Sequence, residues 1–332
     1  MLERILLLIL SLGGFILAYF IFKKKQVKKP LICPLRSDCN TVINSKYSKF
    51  LGAPVEVLGI LYFLFVFLLQ VFFLLQNSFS SWLSFASLFI SLGAFVFSLY
   101  LTAVQIFGLR QFCMWCITSA FFSFSIFYIT FISTDLDVVA NILANYKSIF
   151  VIIHVLAAGV GVGSATITDF LFFRFLRDYK ITEQEADIIN SISQIIWVAI
   201  GLLFISGVGL YLPGAERLND SAKFMTKIFA LSVLVINGVF LNIVVAPKLS
   251  KIYFSSDEKN IDIYVRKLRR IAFSLGGISI VSWYFIFILG ALRTFTLNFQ
   301  EFMLIYLGLL FIAIMGGNIF ERNFTKIKHK ED

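Results

Sequence analysis

Charge is scarce in this chain. Only 14% of its 332 residues are Asp, Glu, Lys or Arg, against about 25% in an ordinary soluble domain. Disordered chains are polar and charge-rich, so this composition excludes them. An apolar fraction of 59% excludes a soluble protein of this size, which could not hide so much apolar surface. Cysteine is scarce too: four residues are too few, in a chain this long, for a disulfide-stapled secreted scaffold. Histidine occurs twice, and His329 lies in the charged tail, so a bis-histidine haem is not available. The ten-residue alternation of a membrane β-barrel is also missing. The net charge of +10 would hint at nucleic acid in a soluble protein. In a chain this apolar, membrane topology explains it, and no nucleic-acid partner is expected.

What is present is a series of long apolar runs. A helix needs about 20 apolar residues to cross a bilayer core. Nine segments qualify, near 3–22, 55–76, 82–106, 112–132, 149–173, 188–211, 224–246, 270–290 and 300–320. The expected fold class is an all-α polytopic membrane protein. The first run is longer than a signal-peptide core and is followed by Lys23-Lys24-Lys25 rather than a small-residue cleavage site, so it reads as an uncleaved helix.

All four cysteines lie in the first 116 residues, and the polar stretch 133–148 is the first break after them. The expected organisation is a four-helix redox domain over 1–132, a linker over 133–148 and a five-helix membrane domain over 149–332. The fifth span carries Gly159, Gly161 and Gly163. No strand precedes them, which excludes a nucleotide loop. The Gly159-x-x-x-Gly163 spacing instead predicts close helix packing.

Cys33 and Cys39 sit in the loop after the first span, in a polar setting that includes Arg36, Asp38 and Asn40. Cys113-Met114-Trp115-Cys116 stands at the mouth of the fourth span. Counting crossings puts both pairs at the same membrane face. Only a thiolate attacks a disulfide, and a helix N-terminus lowers a thiol's pKa. A CxxC in the first turn of a spanning helix can therefore cycle between dithiol and disulfide, at a depth open to a lipid-soluble quinone. A loop dithiol can serve both that CxxC and an external protein. Two other readings are weaker. One zinc bound by all four cysteines sits poorly with five residues between Cys33 and Cys39, where two to four are usual. Inert core filler sits poorly with the polar loop.

The ordered set Cys33-x5-Cys39, Ser45-x-Tyr47, Gly52-x-Pro54 and Gly59, then Leu99-Tyr100-Leu101-Thr102 and Cys113-x-x-Cys116, resembles the vitamin K epoxide reductase family over roughly residues 1–132. The resemblance implies a four-helix bundle that exchanges electrons between thiols and a quinone. It implies that Cys116 lies beside the quinone and carries the chemistry with it. Cys113 would exchange with Cys39, and the Cys33/Cys39 pair would take electrons from a thioredoxin-like protein. With no cysteine after Cys116, that protein is expected to be separate. The implied quinone pocket takes in Ser45, Val55, Glu56 and Ala120. Two positions depart from the family pattern. Many members carry Asn where Val55 stands, and animal members carry Tyr where Ala120 stands. Ubiquinone or menaquinone is therefore expected rather than vitamin K epoxide. Glu56 adjoins Val55, but helical spacing turns it to another face.

On the cysteine side lie 23 Lys and Arg, against six on the other. The positive-inside rule makes the basic side cytoplasmic, whereas most of the family works outside the cytoplasm. The expectation is an inverted orientation, with the thiols facing the cytosol.

The last five spans say less. Ionisable groups within spans are functional candidates by default. Here these are His154 and Asp169 in the fifth span, with Lys227, Asn237 and Asn242 in the seventh. Asp169 is expected to pair with Arg174 or another base at the helix end, and His154 to hydrogen-bond a neighbouring carbonyl. Trp197 and Trp283 read as packing or interface anchors. A membrane transporter with redox-regulatory cysteines is the alternative to a thiol:quinone oxidoreductase.

Overall fold

In the computed structural model the described residues are 2–27, 31, 33, 39–75, 81–175, 181–251, 263–292 and 297–331. Arg36 and Asp38, named above, fall outside them. Nine helices among the described residues are long and apolar enough to cross a membrane, each coinciding with a run read from the sequence. The protein is an all-α, multi-pass integral membrane protein. The chain divides into two compact units, one of residues 1–150 with 207–213, the other of 151–206 with 214–332.

In the first unit, α1 (Leu2–Gln26), α3 (Val55–Leu75), α4 (Ser81–Ala103) and α5 (Met114–Ser133) are the spanning helices. α1 packs on α3 where Gly14 lies against Phe63: a methyl group on Gly14 would come within 2.4 Å of that ring. Leu7, Ala18, Phe63, Val66 and Ile126 close the core between α1, α3 and α5. Between α1 and α3 run a short helix α2 (Cys39–Ile43) and a two-stranded hairpin, β1 (Lys49–Phe50) and β2 (Ala53–Pro54). The hairpin turns through Leu51 and Gly52, both at positive φ, as a two-residue turn requires. This is the structural reason for glycine in the Gly52-x-Pro54 motif.

The stretch 133–148 contains a helix of its own, α6 (Leu136–Asn145), capped by Asp135 on the Asp137 and Val138 amides. Its Val139 and Leu143 are buried with Leu88, and Phe127, Phe150 and Leu212 pack around them. The helix is amphipathic and too short to span, so apolar-run length does not reveal it.

The second unit draws on α7 (Lys147–Phe175), α8 (Glu183–Tyr211), the short α9 (Ala215–Asn219), α10 (Ala222–Phe240), α11 (Ile263–Ala291) and α12 (Phe299–Glu331). The buried face of α7 is Ala157, Gly161, Ser164 and Ala165, which follows helical spacing. The close contact falls on Gly161, where a methyl group would meet the Trp283 ring at 2.3 Å, while Gly159 and Gly163 face open space. The expected Gly159-x-x-x-Gly163 packing is thus corrected: those two glycines lie off the buried face, and the residue midway between them makes the contact. Trp283 is a packing residue, as expected.

α11 begins seven residues before the run read from the sequence, because Arg266 to Arg270 continue the helix beyond the apolar span. Arg269 is buried and ion-paired with Glu321 of α12, both side chains at 3% exposure or less and 3.0 Å apart. Arg270 also approaches Glu321, at 3.8 Å.

Candidate functional site

α5 begins where the chain leaves a π-helical segment, Val104–Leu109, through Arg110 at positive φ. That exit sets Cys113 as the N-cap of α5, its sulfur accepting the Cys116 backbone N–H at 3.4 Å. The Cys113 N–H in turn donates to Gln105 Oε1 at 3.3 Å. Gln105 is buried. No sequence motif announces this anchor, since the π-helical turn creates the contact.

Cys33 and Cys39 are bonded as a disulfide, with 6.0 Å between their Cα atoms; Cys113 and Cys116 are free thiols. Cys39 opens α2, and Asn40 beside it accepts the Leu31 N–H at 2.9 Å. Cys39 and Cys113 are each only 1% exposed. They share one apolar cluster with Leu17, Ile21, Leu31, Val42 and Ile43, and Cys33 and Cys116 pack against it. The structure therefore brings all four cysteines together. Within the loop, Cys39 begins a short helix and is buried, because α2 turns Val42 and Ile43 inward with it.

The electrostatics of this cluster are uneven. The Cys116 thiol donates to the Cys113 sulfur and holds the Cys113 pKa below the usual thiol range. Burial opposes this, and the Cys116 and Trp115 amides reinforce it. Cys113 is thus the member of the pair favoured as thiolate, at a helix N-terminus as thiolate chemistry prefers.

Glu56, in the first turn of α3, ion-pairs with Lys25 in the last turn of α1 at 2.8 Å, with side chains 8% and 23% exposed. Its other oxygen, Oε2, is buried without a hydrogen-bond partner. The pair lies within electrostatic reach of Cys116. Glu56 thus belongs to the surroundings of that thiol, although it points away from the face of Val55. Lys25 appears in the sequence only as part of a basic run, and its partner stands 31 residues on. Ala120 follows Cys116 by one helical turn on the same face. Ser45 donates to the Val42 carbonyl at 2.7 Å, so its proton is used within its own turn. Tyr47, in the same motif, is half-buried, and that burial raises its phenol pKa.

In the second unit, His154 and Asp169 lie on α7. His154 Nδ1 is 2.9 Å from Ser206 Oγ, which donates its own proton to the Leu202 carbonyl at 2.6 Å. The partner of His154 is therefore a hydroxyl rather than the expected carbonyl. Asp169 makes no hydrogen bond or ion pair among the described residues, correcting the expected pairing with Arg174. Five residues along a helix turn a side chain roughly 140° away.

No solved structure gives a significant match to the chain. Residues 5–131, less than half of the chain, match the model of the vitamin K epoxide reductase family, and this N-terminal part of the chain is similar to that family.

Proposed function

We propose that the protein is a thiol:quinone oxidoreductase that supports protein disulfide formation. The observation that carries the reading is the packing of the Cys33–Cys39 disulfide and the Cys113/Cys116 dithiol into one buried cluster at the start of α5. Electrons enter from the dithiol of a separate thioredoxin-like protein. Its thiolate attacks the Cys33–Cys39 disulfide, the donor leaves as a disulfide, and Cys33 and Cys39 become thiols. With Cys113 and Cys116 oxidised, Cys39 attacks Cys113, and Cys116 leaves as thiolate. Cys33 then closes on Cys39 and releases Cys113. The Cys113/Cys116 dithiol now carries two electrons. A quinone, ubiquinone or menaquinone, accepts these with two protons, and the dithiol returns to a disulfide.

The residues around Cys116 fit such a substrate. Lys25 keeps N–H donors beyond the one given to Glu56, suited to a quinone carbonyl, and the free Glu56 oxygen can hold or pass a proton. Val55 and Ala120 contribute apolar surface. In this reading residues 1–132 are the redox domain, 133–148 connect it, and 149–332 form a separate membrane domain. The basic bias supports an orientation with the thiols on the cytoplasmic side.

The test is quinone reduction by the purified protein supplied with a reduced thioredoxin-like donor. Stoichiometric donor oxidation and hydroquinone formation are expected. Donor oxidation without quinone reduction, or neither, would reject the reading.

A further inference from the structure

The second unit encloses a cavity of about 320 Å³ among α7, α8, α10, α11 and α12, at the small end of ligand pockets. Among the described residues its wall contains one ionisable side chain, Asp169, and no Lys, Arg or His. The Asp169 carboxylate stands against Gly276, where a Cβ would lie 3.7 Å from Oδ1, so α11 leaves room beside it. A carboxylate without a partner among the described residues, inside an apolar membrane unit, is costly to maintain.

Two hydroxyls of the wall share one character. Thr168 Oγ1 donates to the Ser164 carbonyl at 2.8 Å, and Ser193 Oγ to the Ile189 carbonyl at 2.9 Å. Each hydroxyl has used its single proton on its own helix and faces the cavity as an acceptor. Asp169, Thr168 and Ser193 thus form an acceptor set that calls for a donor-rich ligand. The rest of the wall is mostly aliphatic and glycine, with aromatic side chains that include Trp197, Trp283, Phe172 and Phe273, and aromatic faces attract cations. Asn242 also lines the cavity. It sits in a second π-helical segment, Leu241–Val245, and such interruptions gather at functional sites.

We infer that this cavity is a binding site for a small organic ammonium ion with an apolar body, its N–H groups donating to Asp169, Thr168 and Ser193. An anionic ligand would bring like charge against Asp169, and a purely apolar one would leave the carboxylate unpaired.

Isothermal titration of the detergent-solubilised full chain compares phenethylamine, as its ammonium, with the neutral 2-phenylethanol. The ammonium is expected to bind and the alcohol to bind only weakly. Asp169→Asn should weaken the ammonium about ten- to hundredfold, the range of a charge-assisted hydrogen bond, and leave the alcohol unchanged. Equal binding of the two probes to the unmodified protein would overturn the proposal without recourse to any variant. So would unaltered ammonium binding by a folded Asp169→Asn protein, or a cavity so filled by lipid that neither probe enters.

Discussion

Cys113 and Cys116 are three residues apart yet differ in burial and in hydrogen bonding. Because the Cys116 thiol is the first cause of the lowered Cys113 pKa, Cys116→Ala should move the pH profile of Cys113 thiol exchange upward, toward about 8.5 for a free thiol. The profile is measured with a small methanethiosulfonate, and an unmoved midpoint would separate the two sulfurs. The thermodynamic sign agrees. A folded pKa below the unfolded one adds stability above about pH 8.5, which is lost as pH falls through the folded value. Cys116→Ser is expected to abolish quinone reduction and to accumulate a Cys39–Cys113 link, or a mixed disulfide with the donor, visible on non-reducing gels. Full quinone-coupled turnover by this variant would refute the electron route. The four cysteines were legible from spacing alone, because dithiol chemistry requires residues that are rare in this chain. Gln105, Lys25 and the reach of Glu56 were not, because each meets the site through a contact distant in sequence.

Helix packing gives two contrasts. Gly161→Ala places a methyl group in the Trp283 ring and should cost about 1–3 kcal/mol, as overpacking does. Gly159→Ala and Gly163→Ala meet open space and should be neutral or slightly stabilising. Thermal unfolding in detergent distinguishes them, and equal losses at all three glycines would disprove the assigned face. Between α11 and α12, Glu321→Gln removes the carboxylate that pairs with the buried Arg269 and should cost about 3–5 kcal/mol, whereas Arg269→Met with Glu321→Leu should recover most of it. A double variant no more stable than Glu321→Gln would show that the pair does more than neutralise itself. The spans were legible because lipid demands long apolar runs and satisfied backbone. The Arg269–Glu321 pair was not, since apolar-run reading ends α11 at its first basic residues. α6 was hidden by its polar face, and the glycine contact by a spacing rule that names a pattern without naming its partner.

At the scale of the molecule, the basic residues divide unevenly between the two ends of the spans, and that division makes a prediction about compartment. A membrane-impermeant thiol reagent, applied to intact cells after mild reduction, should leave Cys33 and Cys39 unlabelled and label them once the membrane is opened. Labelling from outside would reverse the orientation. The first unit also has a consequence for how the protein is made. Its core around Leu88, Val139 and Leu143 is completed by Leu212, and Gly209 makes room for Phe150. The family-matched segment ends at residue 131, yet this flank of its unit is completed only once residue 212 has left the ribosome. During synthesis that flank therefore stays uncovered while the chain of α7 and α8 is threaded into the bilayer.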